Sequence, residues 1–453
     1  MLCAAHFMDA VDLSDVNVAL PAIQRDLGMG SGALQWIVSA YALGYGGFLL
    51  LGGRVADLFG RRRAFLAAVA VFAVVSLFGA LAPNGGLLIA ARLVKGVAAG
   101  FLAPAALSLI TTGWPEGPRR GRALGWYATA GACGFVGGLV LGGVLTELSW
   151  RLVLVLPAPI AVLALLAGLR LLPADPPAGE RARVDVPGAL TATGGLVLLV
   201  YAITRAPEEG WGSAGTLVLF AAAVLLLALF LRIESGTRRP LVPLPFLARR
   251  RTAGTSLTIF AMWGGYTAFA FIATLCLQNV LHWSPLRTAG AFVPLGLVNG
   301  GLAPFAGRLA ARFGAHRMIA VGMLLLALSY ALFFRIGPGA SFTGVVLPVM
   351  VLNGLGTAAV FPALNLSAVA GVPDRDQGLA GALLNTSMQI GGAVVLAVVT
   401  AVVESGQPAG AGPAGGAPAG YASATAVIVA VVLAGLAAAT LLRHRPDLNR
   451  ETA

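Results

Sequence analysis

The chain has 453 residues, of which 58% are hydrophobic and only 11% are charged, and its formal net charge is +12. A soluble domain carries about 25% charged residues, so this composition excludes a water-exposed globular fold and predicts an integral membrane protein. The positive charge would favour nucleic acid as the partner of a soluble protein. Here the arginines lie in short segments between apolar runs, where they act as an orientation signal, so we predict no nucleic-acid binding.

Apolar runs long enough to cross ~30 Å of hydrocarbon occur along the whole chain. Because backbone groups cannot stay unpaired in lipid, each run is predicted to be a helix, which makes the fold all-α. We predict fourteen spans, numbered in chain order, with approximate limits 2–23, 33–53, 64–82, 86–111, 122–145, 151–172, 188–205, 214–232, 252–280, 287–310, 317–336, 342–366, 378–403 and 421–442.

The first run carries three aspartates and no basic leader, so we expect no cleavable signal peptide. Its short N-terminal flank suggests that the natural start lies further upstream. With a cytoplasmic N-terminus, most arginines fall into cytoplasmic loops. We therefore expect a multi-pass protein of the cell membrane with both termini in the cytoplasm.

The sequence contains an internal repeat. Residues 53–63 (GRVADLFGRRR) and 307–317 (GRLAARFGAHR) agree at six of eleven positions, and residues 96–104 and 354–362 form a second echo at nearly the same offset. Parallel repeats about an axis along the membrane normal build one large class of transporters.

We therefore predict two six-span halves, residues 1–172 and 252–453. Residues 173–251 are predicted to be a linker that carries two extra spans. Three stretches are rich in proline, glycine or charge and are predicted to be connecting segments, namely 173–187, 233–251 and 404–420.

Span 1 contains Asp9, Asp12 and Asp15. Steps of three residues turn a helix by about −60°, so the three carboxylates share one face. Each ionised acid near the bilayer centre costs about 2.5–3.5 kcal/mol, so this face must look into a cavity or at basic partners. Asp9 is either near the cytoplasmic interface or part of a substrate cavity. Asp15 is either a second proton site or a specificity element.

Span 4 contains Arg92 and Lys95, three residues apart on one helix face. A buried arginine is always charged and needs a counter-charge or water, and the span 1 acids are the intramembrane acids available to it. An alternative is that Arg92 bonds helix carbonyls as a structural residue. Lys95 could attract an anionic substrate or neutralise Asp15. We expect it to pair with Asp15, because the two add opposite charges to neighbouring helices. The equivalent of Arg92 in the second half is Met350.

The chain resembles the major facilitator superfamily, and within it the fourteen-span drug:proton antiporter branch. The run Asp12–Pro21 (DLSDVNVALP) looks like the signature of that branch, and Arg92 matches its span 4 motif, in which Lys95 stands where glutamine is usual. Further matching motifs are Gln35-Trp36, Tyr41, 185–188 (DVPG), 210–211 (GW), 277–278 (LQ) and 381–385 (GALLN). The resemblance covers essentially the whole chain and implies that Asp12 and Arg92 couple transport to protons. Asp15 stands where the branch usually has an aliphatic residue, and it is our further candidate for proton coupling.

The loop between spans 2 and 3 resembles the gating motif of the superfamily, with Gly53, Asp57, Gly60 and Arg61 at its key positions. Gly53 would allow close helix approach, and Gly60 would allow a sharp turn. Asp57 would accept hydrogen bonds from an opposing helix N-terminus or an arginine and so latch the cytoplasmic side.

Span 5 has glycines at the spacing of the family's antiporter motif, Gly125, Gly134, Gly138 and Gly142. Glycines four residues apart make a smooth face for tight helix packing. Leu139 replaces the usual proline, which leaves symport or uniport open as alternatives to antiport.

Polar and aromatic residues inside other spans are candidates for a substrate cavity, although each is as compatible with packing or interfacial anchoring. They are Asp9, Asn17, Trp36, Tyr41, Lys95, Trp263, Gln278, Asn385 and Gln389. We find no phosphate-binding loop, no nucleophile motif and no metal-ligand spacing, so we predict no enzyme activity, no metal and no cofactor other than the proton motive force.

The prediction from sequence is thus a proton-coupled secondary transporter that exports small amphipathic compounds, such as drugs or antibiotics, by alternating access. Its partners would be the small-molecule substrate, protons and the lipid bilayer, and a monomer is expected. Two alternatives stay open: an importer or symporter of a small metabolite on the same scaffold, and a membrane sensor or scaffold without transport.

Overall fold

A computed structural model of the chain describes residues 1–114, 118–174, 186–237, 250–302, 305–337, 339–370, 372, 377–405 and 418–440. Within these residues every regular element is a helix. Apolar segments take this form because a helix pairs its own amide and carbonyl groups, which lipid cannot do.

The first half of the chain forms seven helices, two of which make one apolar segment, Trp150–Leu171. In order they are α1 (Leu2–Leu27), α2 (Ser31–Phe59), α3 (Arg61–Ala80), α4 (Gly85–Gly113), α5 (Pro118–Leu148), α6 (Trp150–Val155) and α7 (Pro157–Leu171). Two further helices follow, α8 (Val186–Glu209) and α9 (Ala214–Gly236).

The second half contains two π-helical turns, Cys276–Val280 and Phe342–Val346, which extend neighbouring α-helices. Its α-helices are α10 (Arg250–Leu275), α11 (Pro285–Leu302), α12 (Ala306–Phe313), α13 (Ala315–Phe333), α14 (Leu347–Val369), α15 (Gln377–Ser405) and α16 (Pro418–Ala439).

The all-helical membrane architecture is confirmed. In the described part of the chain, ten helical segments are long and apolar enough to cross a membrane. Each of the fourteen predicted apolar runs overlaps a helix, but four of these helices, α1, α2, α8 and α11, are not among the ten, and α1 carries three buried aspartates. The count of fourteen spans therefore stays a prediction.

Helix packing follows the same plan in both halves. The packing of α1 on α5, α2 on α4 and α3 on α7 is repeated by α10 on α15, α11 on α14 and α13 on α16. Two long contacts join the halves, α2 with α15 and α5 with α11. The boundaries predicted at residues 172 and 252 stay predictions, and the predicted connecting segments lie mostly outside the described residues.

The two copies of the 53–63 repeat also share a backbone feature. Gly60 separates α2 from α3 with φ 102° and ψ 133°, and Gly314 separates α12 from α13 with φ 83° and ψ 135°. Residues with a side chain rarely adopt a positive φ, which explains why both positions are glycine.

Burial distinguishes central from peripheral helices. The apolar window of α10 and its π-helical extension is 83% buried, whereas that of α9 is 17% buried. Helix α8 packs against α9, α2 and α15. The pair α8–α9 therefore lies beside the junction of the halves, with α9 presenting an apolar surface outward, as a lipid-facing helix does.

Candidate functional site

The first half contains a buried ion cluster that joins α1 to α4. Arg92 donates from Nη1 to Oδ2 of Asp12 over 2.6 Å, and Lys95 Nζ donates to Oδ1 of the same carboxylate. All three side chains are at most 2% exposed. The two cations share one face of α4 because they are three residues apart, so both reach one carboxylate.

Arg92 also holds the backbone. Its Nε donates to the carbonyl of Ile37 in α2 over 2.9 Å. The residue therefore makes both interactions considered from the sequence, a carboxylate pair and a helix carbonyl, and it ties three helices together.

The predicted pair between Asp15 and Lys95 is wrong. Helix α4 follows α1 after three reversals of the chain, at residues 28–30, at Gly60 and at residues 81–84, so the two helices run in opposite directions. Asp15 lies one turn beyond Asp12 along α1, and Lys95 lies one turn beyond Arg92 along α4. Because the helices are antiparallel, these two residues lie on opposite sides of the Asp12–Arg92 pair. Lys95 lies on the Asp9 side of the cluster and takes Asp12 as its partner.

Aromatic rings enclose the two cations. The guanidinium carbon of Arg92 lies 4.4 Å from the ring centre of Tyr41, and Lys95 Nζ lies 4.8 Å from that of Phe72. Cations over aromatic faces gain electrostatic stabilisation that grows when water is excluded. Phe72 was not a candidate from the sequence, because nothing in the pattern of α3 indicates which of its apolar residues faces α4.

The hydroxyl of Tyr41 donates to Oδ1 of Asp9. Asp9 is buried within the protein, with 6% exposure, and its position near the cytoplasmic interface stays a prediction. A buried carboxylate needs hydrogen-bond donors to offset its lost hydration, and Tyr41 supplies one.

Asp15 is fully buried, and neither carboxylate oxygen has a hydrogen-bond partner among the described residues. Its backbone lies against Gly142 of α5, where an added Cβ would be 2.8 Å from the Asp15 Cα. Asp15 is thus the acid of the α1 series that the described contacts leave without a partner, and buried groups of that kind call for a functional explanation.

The glycine face of α5 packs on the acidic helix. An added Cβ at Gly134 would overlap the carbonyl of Phe7, and one at Gly138 would lie 2.7 Å from that of Val11. With Gly142 against Asp15, the predicted tight packing is present, and its partner is α1. The surroundings of Gly125 are outside the described part of the structure.

The gating motif is described only in part. Gly60 follows α2 with a positive φ, which fits the predicted turn. An added Cβ at Gly53 would make only an ordinary contact of 3.7 Å with Pro104 of α4, and the close approach to α4 is at Gly52, where it would overlap the Gly100 carbonyl oxygen. Arg61 begins α3 and is half-buried. The Asp57 side chain lies outside the described residues, so its role as a latch stays a prediction.

Two predicted cavity residues contact helices across the structure. Trp36 packs against Tyr201 of α8, with ring centres 5.6 Å apart. Gln278 donates from Nε2 to the carbonyl of Val18 over 3.0 Å, which joins the second half to α1. Gln278 therefore lies at the contact between the halves.

The remaining cavity candidates are dispersed. Asn17 and Asn385 donate to carbonyls one turn earlier in their own helices. Trp263 stacks on Tyr266 at 5.3 Å within α10. Gln389 is buried in α15 and its Nε2 has no partner among the described residues. The structure therefore gathers Asp9, Tyr41 and Lys95 around the ion cluster and leaves the other candidates outside it.

Comparison with known proteins gives a consistent result. The family model described as Major Facilitator Superfamily matches residues 2–396 and 302–452. The chain is 41% identical over 406 residues to the puromycin resistance protein pur8 of Streptomyces alboniger, covering 89% of this chain and 80% of that protein. It is 38% identical over 414 residues to the cephamycin export protein CmcT of Amycolatopsis lactamdurans, with coverages of 90% and 84%.

A solved structure supports the fold. The structure is similar to that of the POT family transporter PepTSo, with a TM-score of 0.70 and coverage of 97% of each chain. Sequence identity is 16%, so this likeness concerns the arrangement of helices alone.

Proposed function

Since the chain belongs to the Major Facilitator Superfamily, we propose that it exports small amphipathic compounds, antibiotics or other drugs, across the cell membrane in exchange for protons. The observation that supports export is the similarity over about nine-tenths of the chain to proteins named for puromycin resistance and cephamycin export. Export of a substrate of this kind needs no enzyme chemistry, only a carrier and a driving gradient.

The buried charges supply a physical basis for proton coupling. Arg92 and Lys95 carry two positive charges, and Asp12 supplies one negative charge between them. If Asp9, which accepts from Tyr41, is also ionised, the cluster is neutral only when Asp15 holds a proton. An isolated buried charge is costly, so the neutral arrangement is favoured while the site is closed to water.

Loss of the Asp15 proton would leave one uncompensated negative charge in the first half. That charge can be relieved by the positive group of a substrate or by access to water. Asp15 would therefore alternate between a proton and a cationic substrate, while Asp12 and Arg92 hold the surrounding helices in place. The proposed role of Asp15 as the group that exchanges its proton for substrate accounts for its lack of a hydrogen-bond partner among the described residues.

The energy available is sufficient for export. A proton that moves inward through 100 mV releases about 2.3 kcal/mol. At about 1.36 kcal/mol per decade this supports a gradient of roughly fifty-fold for a neutral substrate. A monovalent cation exchanged for one proton gains nothing from the potential and depends on the pH difference alone.

The conformational change would be a rocking of the two halves about their joint contacts, α2 with α15 and α5 with α11. We propose a monomer of fourteen spans with both termini in the cytoplasm, and with α8 and α9 as the two additional spans. Access would then alternate between the two sides around the α1 acids, which is the usual mode of carriers built from repeats.

A second candidate is proton symport or uptake on the same scaffold. It is favoured by Leu139, which is buried in α5 where the antiporter motif has a proline. A missing proline removes a kink determinant from that helix.

The experiment is dye transport in proteoliposomes of known orientation, with and without an imposed pH gradient. Export predicts uphill movement of a cationic dye towards the acidic side, lost on addition of a protonophore. Movement of dye and protons in the same direction would establish symport instead. Dye transport that ignores the gradient would refute proton coupling.

A further inference from the structure

His6 precedes the three acids of α1 by the same step that separates them. The positions 6, 9, 12 and 15 each differ by three residues, about 4.5 Å along the helix axis. All four side chains can carry a proton, and His6 is half-buried at the N-terminal end of the series, towards the proposed cytoplasmic side.

The neighbouring helix α5 forms a slot for the imidazole ring. Tyr127 stacks on His6 with ring centres 4.2 Å apart and an angle of 7° between the planes. One turn further along α5, Gly131 leaves the space that the ring occupies, because an added Cβ there would overlap His6 Nε2. The ring is therefore held in one position by two residues, and this slot has no part in the ion cluster.

The groups around the slot favour proton transfer. Asp9 lies one step further along α1 and accepts from Tyr41, which packs edge-on against Tyr45 at 6.1 Å between ring centres. Among the described residues, Tyr127 on α5 stacks on His6, and Cys3 and Asp9 lie one helical step from it on α1, with Tyr45 of α2 beyond Asp9 and Tyr41. An imidazole has one ring nitrogen that can accept a proton and one that can release a proton, so it can relay protons, which cysteine and tyrosine do less readily.

We propose that His6 is the cytoplasmic end of the proton path, which receives the proton released from the α1 acids and passes it to cytoplasmic water. This inference rests on the proposed proton coupling. The transfer is a simple relay. The free ring nitrogen takes a proton arriving through Asp9 or a water molecule, and the ring then loses one proton to solvent, which leaves it neutral again. His6 contacts no substrate in this scheme and acts on the rate at which protons leave.

The test compares net proton flux with substrate exchange in proteoliposomes loaded with a pH-sensitive dye. Exchange of internal for external substrate needs no net proton movement, so it reports folding and substrate binding. His6→Phe keeps an aromatic ring for the stack but cannot carry a proton. Gly131→Ala keeps His6 but displaces its ring. Gly137→Ala is the matched control, since its added Cβ would make only an ordinary contact of 3.8 Å with the Phe7 ring.

We expect His6→Phe and Gly131→Ala to lower the ratio of proton flux to exchange by about tenfold, less than the full effect of general acid–base catalysis because water can partly replace the ring. Gly137→Ala should leave the ratio unchanged. If His6→Phe lowers both fluxes equally, or neither, His6 is structural and the inference is overturned. His6→Gln, which fills the slot with a polar group that does not titrate, should lower the ratio to the same extent as His6→Phe, and a normal ratio in His6→Gln would also overturn the inference.

Failure of the underlying proposal has a separate signature. If the unmodified protein exchanges substrate but moves no protons with it, proton coupling itself is wrong and the inference falls with it. A normal coupled flux in the unmodified protein, together with an unchanged ratio in His6→Phe, would overturn the inference alone.

Discussion

Asp12 and Arg92 join α1 to α4 by an ion pair 2.6 Å long, from which water is excluded on both sides. A pair of this kind contributes little net stability, because the charges lose their hydration on burial. Removal of one partner is costly, however, because the other charge stays buried without compensation. Asp12 is the more critical partner, since it also receives Lys95.

Asp12→Asn should therefore destabilise the protein by about 3–5 kcal/mol and abolish uphill export. Two buried cations would be left facing a neutral amide. The measurement is the thermal midpoint of the purified protein in detergent, together with dye efflux. In a double-mutant cycle, Lys95→Met added to Asp12→Asn should recover part of the lost stability, because it removes one of the stranded charges. Strict additivity would show that Lys95 and Asp12 do not interact.

Asp15→Asn should give the opposite pattern. The change resembles the protonated acid and breaks no described hydrogen bond, so the thermal midpoint should stay close to that of the unmodified protein. Proton-driven export should be lost, while substrate exchange at equal pH on both sides continues. Normal uphill export by Asp15→Asn would remove Asp15 from the proton path, and a large loss of stability would show that the ionised carboxylate has a structural role.

Gly142→Ala should destabilise the protein by about 1–3 kcal/mol, the usual cost of overpacking. The new Cβ would lie 2.8 Å from the Asp15 Cα and from its carbonyl oxygen, so α5 would have to move away from α1. Gly137→Ala serves as the control and should be tolerated, because its added Cβ would make only an ordinary contact of 3.8 Å with the Phe7 ring. The readout is the thermal midpoint of both variants, and equal midpoints would show that the α1–α5 contact yields easily.

The C-terminal end of α1 predicts a pH effect. Asp26 accepts from Trp150 Nε1 at 2.9 Å and from Arg151 Nη1 at 2.7 Å. These donors, Trp150 first, hold the pKa of Asp26 below its usual value. Because the folded-state pKa is lowered, the stabilisation is present above the unfolded-state pKa of about 3.9 and is lost as the pH falls through the folded-state value.

Asp26→Asn should therefore lower the thermal midpoint slightly at neutral pH, and the difference from the unmodified protein should vanish in strong acid. Unfolding scans between about pH 7 and pH 2.5 provide the measurement. Trp150→Phe removes one of the two donors, so the part of its difference that depends on pH should be smaller, while the loss of the buried indole adds a cost that does not depend on pH. A gap that persists undiminished at the lowest pH would mean that Asp26 acts through packing.

The sequence was sufficient to predict helices, the repeat and the acid-rich face of α1, because these depend on composition and on spacing along a single helix. It also predicted that Arg92 would meet a span 1 carboxylate, since few buried acids are available to it. Hydropathy defines the number of membrane spans less well. Helix α1 combines a buried position with charges that lower its apolarity, and α8 has only a shorter apolar segment, Pro187–Ile203.

Relationships between helices were harder to predict. The choice of Asp12 over Asp15 as the partner of Lys95 depends on the opposite directions of α1 and α4, which follow from the number of chain reversals between them. Phe72 and the slot around His6 depend on the rotation of α3 and α5 about their axes, and hydrophobic patterns fix that rotation poorly when a helix is apolar on all sides. The regular step from His6 to Asp9 is a signal that could have been found from the sequence.

The joint at Gly60 has a mechanical consequence. Only this residue separates α2 from α3, so the connection is too short to absorb a displacement. A movement of α2 should therefore be transmitted to α3. The outer surface of α3 is accessible at Val71 and Val74, which are 42% and 51% exposed. A spectroscopic label at either position, with Cys3 and the exposed Cys133 replaced, would thus report on the movement of α2 through the movement of α3.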